Sequence, residues 1–545
     1  MRFNLVTSGV SVCRVSASVS RRVSASVSAS VPSSFCLGFS ASASSPSSSS
    51  SPSSSSGGGG GSGTGPSAAY ANTLVSPLTS IKEFYAGFRK ELHASLIANE
   101  MTNAASVVSV QPGSAQTLED TVLINRVSSR LGVLTLHNPE RLNALTPKMI
   151  REMRMHVDAV EGAAAMYIDK DKKEDEDVAV SNHSFNCLLV RGAPRASKAG
   201  TLPKPAFCAG GDVRGILKLK PQEAMQFFTE EYSLDHRTST VTVPYVSIWD
   251  GPVMGGGVGV SAHGSYRVAT ERCVFAMPEC AIGIFPDVGG THLLSSLPRA
   301  LGNYLALTGG KLSGLEAYEA GIATHFVRSS QIGSLVDRLA QSTDIAVSRN
   351  VARAGIEQVL AEVTVAAMDT DDVKRTELSL LRDGGYLNRC FDAETVEECV
   401  AKLKEERLRI DEQLAAAKNE QLERVREWIV SCEAAMETAN PLSLKVSMAL
   451  LRYGRGSGDG KRPSLAECLR AEARAMWHFV KTLDDADDAK KGDFFAGVTH
   501  RLVTKSPGSP PWLYSRLEDV SDRDVDMVMN ATSDDDNVLT PLAKL

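Results

Sequence analysis

Two carboxylates and two glycine loops carry the chemistry of this 545-residue chain. Glu279 and Asp287 stand eight positions apart (287 − 279) in Ala276-Met277-Pro278-Glu279-Cys280-Ala281-Ile282-Gly283-Ile284-Phe285-Pro286-Asp287-Val288-Gly289-Gly290. Each follows a proline and sits among apolar residues. Ionising a carboxyl in apolar company is costly, so acids found there rarely lack a function. Upstream lie the loops Phe207-Cys208-Ala209-Gly210-Gly211-Asp212-Val213 and Met254-Gly255-Gly256-Gly257-Val258-Gly259. Glycines let backbone N–H groups approach a ligand closely. Amides from a loop and a helix start, converging on one point, would hold a developing oxyanion, each donor worth about 3 kcal/mol of barrier. Acids facing such donors are the equipment of acyl transfer.

Other chemistries fit less well. Either glycine loop alone reads as tight packing at least as readily. Gly257-x-Gly259-x-x-Ala262, with Glu279 twenty residues past Gly259, matches a loose dinucleotide fingerprint but lacks the βαβ unit on its C-terminal side. Ser261 has no GxSxG elbow around it. Cys208 and Cys280 lie near the acids, yet no histidine stands close in sequence to activate either.

Composition narrows the field further. The ten cysteines are scattered without CxxC or Cys/His ligand spacing, so no metal is expected and they read as reduced, buried thiols. A net charge of −6 argues against general nucleic-acid binding. No apolar run is long enough for a transmembrane helix, so no membrane partner is expected. No acidic residue precedes Glu83, while Arg2, Arg14, Arg21 and Arg22 punctuate a Ser/Ala/Val-rich stretch. That is the composition of an organellar transit peptide, with the mitochondrion favoured over a plastid. The serine and glycine tracts at 47–61 cannot bury a core.

The chain is too long for one ordinary domain. Residues 1–70 read as leader and linker, 71–118 as a helical extension, 119–330 as the catalytic core and 331–545 as a helical domain. Strands are expected at Leu131–Leu136, Phe185–Val190 and Tyr245–Trp249, with Tyr266–Ala269 and Val274–Met277 flanking a turn. Thr146 and Pro147 open a helix whose Ile150, Met153, Val157 and Val160 share a face. Ser313-x-x-Glu316 and Ser464-x-x-Glu467 are capping boxes. Asp169–Asp177 and Pro194–Pro205 read as surface insertions. Strands alternating with helices make the core an α/β layer fold.

The pairing of FCAGGDV with MGGGVG, followed by MPE and FPDVGG, resembles the crotonase (enoyl-CoA hydratase/isomerase) superfamily. The likeness runs from about Gly132 to Val327 and resumes at Asn440–Lys445 and Asp493–Val498. It implies a ββα-spiral core with a C-terminal α-helical region. It also implies cleavage of the thioester 3-hydroxyisobutyryl-CoA, a step of valine breakdown in the mitochondrial matrix. On that likeness Gly211 and Gly256 supply the oxyanion-hole amides, and Ala209, Gly210 and Asp212 belong to the loop that receives coenzyme A. Glu279 takes the principal acid position, as general base or nucleophile. Asp287 stands where the hydrolases carry aspartate, and Glu231 matches a substrate-contacting glutamate. Gly259 replaces the second glutamate that hydratases need to activate water. The resemblance implies an acyl-CoA as the one small-molecule partner and no cofactor beyond the coenzyme A of the substrate. Monomer and homo-oligomer stay open. The rival readings are an enoyl- or dienoyl-CoA isomerase or hydratase of the same superfamily, and a paralogue associated with the mitochondrial ribosome.

Overall fold

The computed structural model describes residues 121–128, 130–160, 185–196, 204–342, 349–368, 376–456, 460–531 and 542. All belong to one compact unit, Glu83–Leu545. The leader, the helical extension and the charged run at 169–177 lie outside the described residues, as does part of the Pro194–Pro205 insertion.

The apolar runs become strands of a six-stranded sheet. In the order in which they pair, these are Thr121–Arg126 (β1), Leu131–His137 (β2), Cys187–Gly192 (β3), Tyr245–Trp249 (β4), Tyr266–Ala269 (β6) and His325–Phe326 (β9). β1 runs antiparallel to β2 and all other pairs are parallel. Side chains alternate faces along a strand. Leu134, Leu136, Leu188 and Val190 therefore join the main core, while Leu131, Val133, Cys187 and Leu189 join a second one. Helices Ile332–Gln341 and Arg349–Met368 cover that second face through Leu335, Leu339, Ile356 and Leu360. Burial on both faces explains why β2 and β3 read as nearly continuous apolar runs.

A smaller sheet sets Val274–Ala276 (β7) between Pro252–Met254 (β5), to which it is parallel, and Leu312–Ser313 (β8), to which it is antiparallel. The two segments flanking the expected turn are indeed strands, and the Cys273 N–H donates to Thr270 O across that turn (3.1 Å). They enter different sheets, because the chain crosses there from the large sheet to the small one.

Helix Pro147–Ala159 (α1) starts at the expected cap, where Thr146 accepts from the Met149 N–H. Both capping boxes also form. From sequence no element is expected between 214 and 244, yet Pro221–Thr240 (α2) is a long helix there. Its buried face carries Ala224, Phe227, Phe228, Tyr232 and, unusually, Glu231 and Asp235. Gly256–Ala262 (α3) packs against it and is buried throughout. Beyond 330 the described elements are helices. Pro441–Arg455 packs on the short helix Gly290–Ser295 (α4), and Leu465–Val480 (α5) packs on α2.

Candidate active site

Local hydrogen bonds hold the first glycine loop in place. The Ala209 N–H donates to Leu142 O (3.0 Å), the Leu145 N–H to Gly210 O (2.8 Å) and the Asp212 N–H to Leu145 O (2.8 Å). The Gly211 N–H between them donates to no other group among the described residues. Cys208 exchanges two bonds with β5, Cys208 N–H to Pro252 O (2.9 Å) and Met254 N–H to Cys208 O (3.1 Å). Since β5 leads straight into the second glycine run, the two loops lie side by side. A methyl carbon built on Gly256 would stand 3.3 Å from the Gly211 nitrogen. Gly256 opens α3, so its N–H belongs to the unpaired first turn of that helix. Gly255 before it has φ +46°, a conformation that favours glycine.

The acids converge on this place. Glu279 begins a short 3-10 helix, Glu279–Ile282, closed by Gly283 at φ +82°. One of its carboxyl oxygens would stand 3.1 Å from a methyl on Gly255. A methyl on Gly256 would collide with Glu231 Oε1. Asp287 Oδ2 accepts a 2.7 Å hydrogen bond from the Tyr232 hydroxyl. The residues named from sequence, Gly211, Gly256, Glu231, Glu279 and Asp287, thus meet around one point. Asp212 also serves the local fold, capping helix Val213–Ile216 and pairing with Arg141 at 2.6 Å.

Three members of the site escape the sequence reading. Tyr232 and Asp235 share the inner face of α2 with Glu231, and Glu472 comes from α5. Glu472 accepts from the Gly289 and Thr291 N–H groups, both at 2.8 Å, just past Asp287. The sequence does carry marks of the two acids. Asp235 follows Glu231 by four positions, hence on the same helix face. Glu472 sits in the apolar row of Cys468, Leu469, Ala475, Met476 and Phe479.

Five buried carboxyls, Glu231, Asp235, Glu279, Asp287 and Glu472, therefore crowd one region. No lysine or arginine among the described residues forms an ion pair with any of them. They cannot all ionise, so the cluster retains protons near neutral pH. Burial raises Glu279 well above the usual carboxylate range, and the neighbouring Asp287 charge raises it further. Burial likewise raises Glu231 and Asp235. Asp287 is pushed up to about 7 by burial and held back by the Tyr232 bond. Glu472 is pushed up to about 8 by burial and held back by its hydrogen bonds. Asp235 makes no hydrogen bond through either oxygen, and Glu231 Oε1 and Glu279 Oε2 also lack protein partners. Burial pushes the Cys208 and Cys280 thiols up to about 12, so neither is a thiolate.

The glycine pattern resolves into separate jobs. Gly257 lies too close to Cys208 O for any side chain. A methyl on Gly259 would stand 2.6 Å from both Asp235 Oδ2 and Val288 Cβ. This packing accounts for Gly257-x-Gly259-x-x-Ala262 and leaves no space there for a pyrophosphate. It also leaves none for a second glutamate at 259. A separate cavity of about 250 Å³ lies behind the Glu279 turn, lined by Pro278, Cys280, Ala281, Gly309, Ala439 and Arg501 among others. None of the five carboxyls lines it.

Residues 180–529 match the family model described as enoyl-CoA hydratase/isomerase. The chain belongs to that family. Within it, similar curated proteins are 3-hydroxyisobutyryl-CoA hydrolase 1 of Arabidopsis thaliana and the mitochondrial 3-hydroxyisobutyryl-CoA hydrolases of Dictyostelium discoideum and Homo sapiens. The Arabidopsis protein is 32% identical over 77% of this chain and 94% of its own length. The Dictyostelium protein is 34% identical over 74% and 90%, and the human protein 34% over 72% and 84%. Among solved structures of the family, a carnitinyl-CoA dehydratase from Mycobacterium thermoresistibile superposes with TM-score 0.53 at 29% identity, covering 76% of this chain and 97% of that one. An enoyl-CoA hydratase from Rhodobacter sphaeroides gives TM-score 0.53 at 25% identity over 75% and 97%. The family fold thus agrees with the α/β core and helical C-terminal region read from the sequence.

Proposed function

We propose that this chain hydrolyses the thioester of 3-hydroxyisobutyryl-CoA to 3-hydroxyisobutyrate and free CoA, a step of valine breakdown. The names of its relatives support that substrate. One observation carries the choice of hydrolysis over hydration: Gly259 bears no acid, and the Asp235 carboxyl and Val288 fill the space that a side chain would need. Glu279, from the Met-Pro-Glu turn, stands against Gly255, and Glu231, from α2, stands against Gly256.

Coenzyme A lies along Ala209, Gly210 and Asp212, and the acyl oxygen enters between the Gly211 and Gly256 amides. Donors aimed at the developing oxyanion lower the barrier more than they strengthen ground-state binding. Glu279 acts in its ionised form, which burial and the neighbouring Asp287 charge disfavour, so activity should rise with pH, and it works in one of two ways. It takes a proton from water as that water adds to the carbonyl carbon, or it adds itself to give an anhydride that water opens. Either way the C–S bond breaks, the departing sulfur takes a proton, and water supplies the net OH that completes the carboxylic acid. Glu231 and Asp287 hold the substrate hydroxyl, with Tyr232 fixing the Asp287 carboxyl. The leader composition and the mitochondrial relatives support action in the mitochondrion, and we assign it to the matrix.

The test is a thioesterase assay on the purified full chain with 3-hydroxyisobutyryl-CoA, an enoyl-CoA and a dienoyl-CoA. Release of free thiol from the first, with no hydration or double-bond shift in the others, is expected. Hydration or isomerisation without thiol release would overturn the reading. Inertness toward all three, with cosedimentation on mitochondrial ribosomes, would favour a ribosomal role.

A further inference from the structure

Asp287 is followed at once by two residues in the left-handed region, Val288 at φ +53° and Gly289 at φ +80°. Glycine takes that conformation freely, but a β-branched residue is strained there. Such strain persists only where surrounding contacts impose it. The Gly290 N–H closes the turn on Asp287 O (2.7 Å), and two contacts from outside hold it. The His263 ring nitrogen Nε2 bonds to Val288 O at 2.8 Å, and burial lowers this histidine to about 4, so the neutral ring donates through an Nε2 proton. On the other side Glu472 spans the turn, Oε2 accepting from the Gly289 N–H and Oε1 from the Thr291 N–H, each at 2.8 Å.

The second contact comes from far along the chain, 183 positions beyond Gly289. Gly289 caps α4 and has no side chain to serve its first amides, and Glu472 does so from α5. The same helix α5 packs on α2, which carries Glu231, Tyr232 and Asp235. Asp287 thus has two anchors: its own bond to Tyr232 on α2, and the turn behind it held by α5. A carboxyl bonded to two amides fixes a turn more rigidly than a neutral side chain, which accepts through one oxygen only.

We infer that Glu472 is a positioning residue for the thioester reaction: by gripping the Gly289 and Thr291 amides it sets Asp287 against Tyr232, so that the C-terminal helical region completes the site. This rests on the functional reading above and goes beyond it, since Glu472 reaches the substrate only through Asp287.

The experiment compares the full-length chain with Glu472→Gln, Glu472→Asp, Asp287→Asn and the Glu472→Gln/Asp287→Asn double variant. Gln keeps the shape but loses one acceptor, and Asp keeps both acceptor oxygens but falls a methylene short. Misplacement of a reacting group by about 1 Å costs on the order of 100-fold, so kcat of Glu472→Gln is expected to fall about 10- to 100-fold with KM changed less than about threefold. Glu472→Asp should recover part of that loss. The double variant should be no slower than Asp287→Asn alone, because both changes remove the same contribution. Retention of more than half of kcat by Glu472→Gln overturns the inference while the thioesterase reading stands. So do losses that multiply in the double variant, and so does failure of both Glu472 single variants to fold, which would make Glu472 a stability element only. A wild type that leaves the thioester intact overturns the functional reading and this inference together.

Discussion

The Tyr232 hydroxyl donates a 2.7 Å hydrogen bond to Asp287 Oδ2 within the buried core. The bond opposes the effect of burial on Asp287, which would otherwise stand further above its usual range than about 7. A hydrogen bond to the ionised form favours that form. Tyr232→Phe should therefore raise Asp287 and move the acidic limb of the kcat/KM profile to higher pH. A pH–rate series on wild type and variant checks this, and an unmoved limb would separate Asp287 from the titration.

Glu279→Gln should abolish most thioester cleavage. General acid–base steps contribute about 100- to 10,000-fold, and losses of that size are expected in kcat. The fold should survive, because Glu279 Oε2 has no protein partner to lose and the neutral amide suits a buried site. Thiol release and thermal denaturation of the same preparation give the two readings. Turnover within about tenfold of wild type would remove Glu279 from the centre of the mechanism.

Gly256→Ala puts a methyl where Glu231 Oε1 already stands and beside the Gly211 nitrogen. Loss of one oxyanion donor costs about 100- to 1,000-fold in kcat, and a loss of that order is expected. Gly333→Ala is the control. Nothing lies within 4 Å of a methyl at that helical position, so activity should hold and stability should not fall.

The acid cluster also predicts how stability follows pH. Asp287 and Glu472 stand at about 7 and about 8 when folded, against roughly 3.9 and 4.3 in an unfolded chain. The native state therefore binds more protons across that window. Its stability from these groups is full below about pH 4 and falls as pH rises through 7 and 8. Asp235, raised by burial and bonded to nothing, adds to the same slope. Asp235→Asn should raise the melting temperature at pH 8, with a gain of about 1–3 kcal/mol, and change it little at pH 4. Calorimetry at both values decides the matter.

Much of this site is legible in the sequence because its backbone motifs are local. Phe-Cys-Ala-Gly-Gly-Asp and Met-Gly-Gly-Gly each build one side of the proposed oxyanion site from consecutive residues, and Met-Pro-Glu sets its acid at the start of a single turn. Strands are legible for a similar reason: Leu131–Leu136 and Tyr245–Trp249 are apolar on both faces and bounded by turn residues. What escapes depends on distant pairing. Asp235 and Glu472 look like solvated charges on amphipathic helices until α2 and α5 are packed together. Helix α2 itself goes unread, its apolar row interrupted by the acids that the site needs. The assignment of 266–269 and 274–276 to separate sheets also has no local mark, since a turn between strands looks alike in a hairpin and in a crossing.

The crowd of carboxyls, with no cation paired to them among the described residues, bears on how the reaction finishes. A thioester arrives neutral at its acyl end, whereas the hydroxy acid left behind is an anion once it ionises. Within a buried cluster whose carboxyls already retain protons because burial and their neighbours disfavour charge, a further negative charge is disfavoured in the same way. Departure into water relieves both penalties at once. The same acids that accommodate the ester should therefore bind the salt weakly, an expectation that a product-inhibition constant for the free hydroxy acid would check.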